Sequence, residues 1–229
     1  MEIQENRRHK RKVLLAILLA CAIAFVCAAQ SMAVVLRRSF QSDSQKAVQD
    51  ITTIMDGYTH SFALFEQILQ LEMENADDAA EISAYLKQKD AQFQAVEGTD
   101  YDGVYLYFQK QFLYSWDTPI SVYQGSGYQA TERPWYTGAK AANGEIWFSI
   151  PYHSYANDYM LSTISRLQPD GETVIAYDIK LGAIQQYADE LYFYTGAQTF
   201  FGDTAGNVIG ASDPLYAGVN ARLSAEEWS

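Results

Sequence analysis

At 229 residues the chain has room for one or two domains. Its two cysteines, Cys21 and Cys27, both fall in an apolar N-terminal run, which leaves the rest without a disulfide framework or a cysteine metal site. The net charge of −12 is unevenly divided: residues 1–38 hold seven basic against two acidic side chains and the remainder nine against 26, a balance that excludes nucleic acid as a partner, because such affinity comes from cations on phosphates.

Residues 1–12 read as a basic cytoplasmic N-terminus. Residues 13–36 follow, 24 positions without a formal charge. At about 1.5 Å per residue they reach across a hydrocarbon core of roughly 30 Å. Arg7, Arg8, Lys10, Arg11 and Lys12 directly precede them, which predicts a cytoplasmic N-terminus and an exported remainder. The alternative is a cleaved signal peptide, for which Ser31-Met32-Ala33 has the small-x-small pattern. The apolar run exceeds a signal core of about 7–15 residues, however. Leu18-Leu19-Ala20-Cys21 loosely matches a lipoprotein site, but apolar residues continue beyond it.

Residues 37–98 read as a stalk and a second helix. Val48, Ile51, Met55, Tyr58, Phe62, Phe65 and Leu69 recur at alternating steps of three and four, a heptad-like stripe. That seam can pack on the domain's own helices or on a second copy in a homodimer. His60 falls between seam positions and reads as a surface residue. Asn75-Ala76-Asp77-Asp78 interrupts the pattern and offers N-caps. Ala79, Ile82, Leu86 and Phe93 then predict a second helix ending near Gly98.

From Tyr101 the period becomes strand-like. Residues 104–108 and 112–116 predict a hairpin turning at Gln109-Lys110-Gln111. Residues 117–132 read as a loop, residues 133–142 as a short helix ending at Asn143-Gly144, and residues 145–150 as a third strand. Residues 159–167 and 173–178 predict a fourth and fifth, joined by a turn at Gln168-Pro169-Asp170-Gly171-Glu172. Asn157 and Asp158 read as a turn, and residues 182–194 as helical. Residues 199–202 and 208–211, around Asp203-Thr204-Ala205-Gly206-Asn207, resemble the first hairpin of a second module. About 30 residues cannot bury a core alone, so the chain reads as a fragment of a longer protein. The expected class is α+β: a transmembrane helix, a long stalk helix, a PAS-like antiparallel five-stranded sheet crossed by a helix-bearing loop, and the start of a proximal module. The absence of βαβ alternation opposes a doubly wound fold.

This order, over roughly residues 35–229, resembles the double-Cache sensor domain of bacterial transmembrane receptors, with residues 99–182 as the membrane-distal ligand-binding module and 183–229 as a connecting helix and incomplete proximal module. Amino-acid-binding members carry a tyrosine five residues before an arginine, then x-Trp-Tyr, and an aspartate ending a later strand. Here these are Tyr128, Arg133, Trp135, Tyr136 and Asp178. The resemblance implies that Tyr128, Arg133 and Trp135 hold a ligand carboxylate and that Tyr136 and Asp178 hold its ammonium, with Tyr152 lining the pocket. Some relatives place an acidic residue shortly after the matching Pro-Tyr; here Pro151-Tyr152 is followed by His153, Ser154 and Tyr155. The chemistry is coherent without the resemblance. A buried zwitterion needs a partner for each charge. The guanidinium fork suits a carboxylate, indole and phenol add neutral donors, and Pro134 suits the start of a helix whose N-terminal end favours an anion.

The expected function is a ligand-binding sensor for a free amino acid. The same fold could instead take an amine, without need of Arg133, or a carboxylate, without need of Asp178. A structural, ligand-free membrane-tethered domain is a further alternative. The sequence has no nucleophile elbow, P-loop, HExxH or Gly-rich dinucleotide turn, and His9, His60 and His153 have no metal spacing, so no enzyme and no cofactor are expected within these residues.

Overall fold

The computed structural model describes residues 2–154, 159–191, 198–216 and 218–221. Tyr155, Asn157, Asp158 and residues 192–194, on which parts of the sequence reading fall, lie outside them. Two compact units divide the chain, one to Thr53 and one from Ile54.

The described residues of the first unit all belong to helix α1 (Glu2–Asn75), which runs on past Thr53. No helix break separates residues 13–36 from the expected stalk, because no proline or glycine falls between Val13 and Asp56. The apolar side chains of the span, among them Leu14, Leu19 and Phe25, are exposed. Among the described residues this is the single helix long and apolar enough to cross a membrane.

In the second unit the stripe on α1 turns inward. Tyr58, Phe62, Phe65 and Leu69 are buried, and Phe65 packs against Phe93 of helix α2 (Ala79–Glu97) at 4.6 Å between ring centres. From Tyr58 onward the seam therefore serves the domain's own core. Val48 is exposed, so the seam does not extend back to it, and His60 is exposed as expected. Asp78 caps α2 by accepting the Ala80 and Glu81 N–H groups at 2.8 and 3.1 Å.

A six-stranded antiparallel sheet follows: β1 (Tyr101–Phe108), β2 (Gln111–Tyr114), β3 (Trp147–Phe148), β4 (Tyr152–His153), β5 (Met160–Leu167) and β6 (Val174–Ile179), in the order β2-β1-β6-β5-β3, with β4 also on β5. The β1–β2 turn places Gln109 and Lys110 at φ 47° and 61°, the left-handed pair that suits a two-residue hairpin. Asp170 closes the β5–β6 turn by accepting the Glu172 and Thr173 N–H groups.

Alternation divides β6 between two layers. Ile175, Tyr177 and Ile179 face α1 and α2, with Tyr177 on Phe65 at 5.4 Å between ring centres. Val174 and Ala176 face the other way, into an aromatic cluster with Tyr105, Trp135 and Tyr136. Helix α4 (Pro134–Ala142) covers that second face. Pro134 opens it and Asn143, at φ 50°, ends it. Gly138 leaves room for the Trp147 indole where a Cβ would collide with the ring. Buried Glu66 on α1 ties down the far edge: it pairs with Arg166 Nη1 at 2.7 Å and accepts Gln168 Nε2 at 2.8 Å.

Two regions depart from the sequence reading. The expected loop 117–132 contains helix α3 (Ile120–Gln124) and a single turn at Ala130–Glu132. Pro119 starts α3, and Tyr123 pins it by entering the aromatic cluster. The expected third strand 145–150 is reduced to β3, and β4 forms beyond it. Phe148 pairs with Ile164 but Tyr152 with Leu161, so four steps on one strand oppose three on the other. Pro151, without an N–H, falls in this break. A one-residue slip turns each following side chain to the opposite face, and it brings Tyr152 to the side of Leu161 and Thr163.

Helix α5 (Gly182–Glu190) then packs on the hairpin of β7 (Phe200–Gly202) and β8 (Val208–Ala211), where Gln185 Nε2 bonds the Ala211 carbonyl.

Candidate functional site

The α4 face of the sheet carries a partly open cavity of about 290 Å³. Five of the six candidate residues line it: Tyr128, Arg133, Trp135, Tyr152 and Asp178. Arg133 precedes α4 and Trp135 lies in its first turn, so Pro134 holds them in a set relation. The guanidinium carbon lies 5.6 Å from the centre of the Tyr128 ring, a cation–π placement. Trp135 is 2% exposed, and its ring meets Tyr105 edge-on at 5.0 Å between centres. Its indole N–H donates to the Tyr128 hydroxyl at 3.3 Å.

Asp178 stands on β6 within the same cavity. Its Oδ1 accepts the Thr163 hydroxyl at 2.5 Å and the Tyr105 hydroxyl at 2.7 Å. Tyr152 joins at one remove, 2.6 Å from Thr163 Oγ1. Burial pushes the Asp178 carboxyl up to about 7; the Thr163 and Tyr105 bonds and the Arg133 charge oppose that rise, and Asp102 adds to it. Burial also raises Tyr105, Tyr128 and Tyr152, with the Asp178 charge adding to each, so all three phenols stay protonated donors at neutral pH.

Tyr136 is the exception. It does not line the cavity. One residue along a helix is about 100° of rotation, which carries Tyr136 away from Trp135's direction. Its hydroxyl donates to the Glu172 carbonyl at 3.1 Å, and its ring packs on Tyr107 at 5.2 Å. In this structure it anchors α4 to the β5–β6 turn.

Several residues that line or support the cavity were absent from the sequence reading. Tyr105 and Thr163 are strand residues with no motif; they reach Asp178 because β6 lies between β1 and β5. Gly103 is directly opposite Asp178, and the Trp116 indole occupies the space its Cβ would take. The Trp116 N–H donates to Tyr123 at 2.8 Å. Asp102, Lys180 and Tyr159 complete another wall. Alternation from Tyr105 and Asp178 marks Gly103 and Lys180 as same-face neighbours, the one sequence signal available for this group. Among the described residues no group of three His, Cys, Asp or Glu side chains is placed to hold a metal.

Comparison with solved structures places this architecture. The ligand-binding domain of the Pseudomonas aeruginosa PAO1 amino acid chemoreceptor PctC, in complex with GABA, superimposes with a TM-score of 0.56 over 79% of this chain and 77% of that one, at 23% identity. The fold is that of the chemoreceptor ligand-binding domains. The corresponding domain of the Pseudomonas fluorescens chemoreceptor CtaA, in complex with L-alanine, gives a TM-score of 0.59 over 82% and 77% of the two chains, at 17% identity. This agrees with the double-Cache resemblance read in the sequence. Methyl-accepting chemotaxis proteins of Bacillus subtilis (strain 168) are sequence relatives. McpA is 26% identical over 190 residues, 79% of this chain and 27% of its own length. McpB is 34% identical over 65 residues, 28% of this chain and 10% of its own. The chain thus spans about a quarter or less of the curated relatives it matches. No family model matches.

Proposed function

We propose that the chain is the extracytoplasmic sensor region of a membrane signal-transduction protein and that it binds a free L-amino acid in the module formed by residues 99–182. One observation carries the reading: a guanidinium, Arg133, and a buried carboxylate, Asp178, open on the same cavity of about 290 Å³. In a largely desolvated space a cation favours an anionic ligand group and a carboxylate a cationic one. An α-amino acid answers both. Its carboxylate meets Arg133, with the Tyr128 hydroxyl and the Trp135 indole beside it, and its ammonium meets Asp178, held by Tyr105 and Thr163. Tyr152 supports Asp178 through Thr163, and Tyr136 positions α4 without touching the ligand. The similar ligand-binding domains in complex with GABA and with L-alanine support the ligand class.

The basic residues before the apolar span support a cytoplasmic N-terminus, residues 13–36 as the membrane crossing, and an exported second unit. Residues 183–229 are the connecting helix and the start of a proximal module. The reading is of a binding module, not an enzyme. Signalling requires that the ligand bind one conformation more tightly than another. A homodimer would have to use a face of α1 other than the buried stripe.

Thermal shift of the full chain in detergent, across the twenty amino acids with matched amines and organic acids, tests the proposal. Amino acids should stabilise it, and Arg133→Ala should weaken binding by about 2–5 kcal/mol. Unchanged affinity in that variant would remove the carboxylate assignment. A response to amines that survives Arg133→Ala would favour an amine site.

A further inference from the structure

Beyond the Arg133–Asp178 pair, the cavity holds a second charged group. Asp102 accepts the Tyr159 hydroxyl and meets Lys180 Nζ at 3.3 Å. Lys180 Nζ also lies 5.2 Å from the centre of the Tyr159 ring. Asp90, on α2, accepts the Tyr101 hydroxyl at 2.8 Å. Asp90, Asp102, Tyr159 and Lys180 all line the cavity.

Positions along β6 and just beyond it order the groups of the cavity. The Trp135 carbonyl accepts the Ser165 hydroxyl, and Ser165 pairs with Ala176. The first turn of α4 therefore sits over Ala176, two residues before Asp178. Lys180 comes two residues after Asp178, on the same side of an extended chain and about 7 Å further along it. The cavity runs from Arg133 and Trp135, past Asp178, to Lys180 and Asp102. An α-amino acid with its carboxylate at Arg133 and its ammonium at Asp178 turns its side chain away from the carboxylate, which is the direction in which Lys180 and Asp102 lie.

Among the described residues the lining carries three carboxylates, Asp90, Asp102 and Asp178, and two cations, Arg133 and Lys180. The ligand's main-chain charges answer Arg133 and Asp178. What faces the side chain is Asp90, Asp102 and the Lys180 ammonium, which is already paired with Asp102. A carboxylate has about four acceptor positions, so Asp102 and Asp90 retain acceptor capacity beyond their present bonds. We propose, resting on the amino-acid reading above, that this end of the cavity selects side chains bearing N–H donors, a cation or a primary amide, and rejects acidic side chains. An acidic side chain would set a third anion against two in a partly water-excluded space, with no unpaired cation to receive it. An apolar side chain would strip water from both carboxylates and return no hydrogen bond.

The test is calorimetric titration of the full chain in detergent with L-glutamine, L-lysine, L-leucine and L-glutamate. Glutamine or lysine should bind at least tenfold more tightly than leucine, with glutamate weakest. In Asp102→Asn the advantage of lysine over leucine should shrink several-fold and glutamate should gain. Leucine or glutamate binding as tightly as both nitrogen-bearing ligands would overturn the inference while leaving the amino-acid reading standing. Binding of none of the four, with no response to other amino acids, would overturn both. The wild-type panel decides the matter even if Asp102→Asn fails to fold.

Discussion

Tyr152 reaches Asp178 through Thr163, whose hydroxyl stands 2.6 Å from the phenol and 2.5 Å from the carboxylate. The threonine donates to Asp178 and accepts from Tyr152, so one small side chain orders both. Thr163→Val keeps the shape and removes the relay. We expect it to weaken amino-acid binding by about 1–3 kcal/mol, as for a lost bond to a charged group, and to raise the Asp178 carboxyl further. Calorimetry at pH 7 and pH 8.5 checks this: the loss should be smaller at the higher pH, where Asp178 is ionised in both proteins.

The pH dependence has a definite sign. With Asp178 at about 7 in the ligand-free protein, the carboxylate that an ammonium requires is depleted as pH falls. Affinity should drop below pH 7, approaching tenfold per unit, and level off above pH 8. Stability should move the other way. The folded state holds a proton that the unfolded chain, titrating near 3.9, has released, so folding is favoured at pH 4–5 and loses up to about 1.4 kcal/mol per unit as pH rises towards 7. Asp178→Asn should flatten that portion of a melting-temperature profile.

Tyr136 and Tyr128 separate an anchoring role from a binding one. Tyr136→Phe removes only the bond to the Glu172 carbonyl. It should cost about 0.5–1.5 kcal/mol of stability and leave affinity within twofold. Tyr128→Phe removes the hydroxyl that accepts the Trp135 N–H inside the cavity, and should lower affinity with less effect on stability. Equal affinity losses in the two would return Tyr136 to the site.

Gly103 leaves room for Trp116, which lines the cavity. The glycine adopts φ 139°, and a Cβ there would lie 2.5 Å from the Trp116 ring. Gly103→Ala must displace that indole or the strand, at about 1–3 kcal/mol, and should reduce binding together with melting temperature. A variant of wild-type stability and affinity would show that Trp116 has room to move.

Local patterns made much of this protein readable. An uninterrupted apolar run, a stripe at steps of three and four, the Asp78 cap, the turns at Gln109-Lys110 and Asp170, and Pro134 with Asn143 around α4 all act within a few residues, where covalent geometry dominates. The proximity of Tyr128, Arg133 and Trp135 is local in the same sense, since eight residues contain all three. What the sequence could not decide was set by pairing across the sheet. Tyr105 and Thr163 meet Asp178 because β6 lies between β1 and β5, and no spacing along the chain records that order. Tyr152 faces the cavity because of a one-residue slip beside Pro151, and Tyr136 leaves it because the helix rotates about 100° per residue. The inward direction of the α1 seam was likewise open until Phe65 met Phe93 and Tyr177. A heptad stripe states that an apolar surface must be covered, and only tertiary packing decides what covers it.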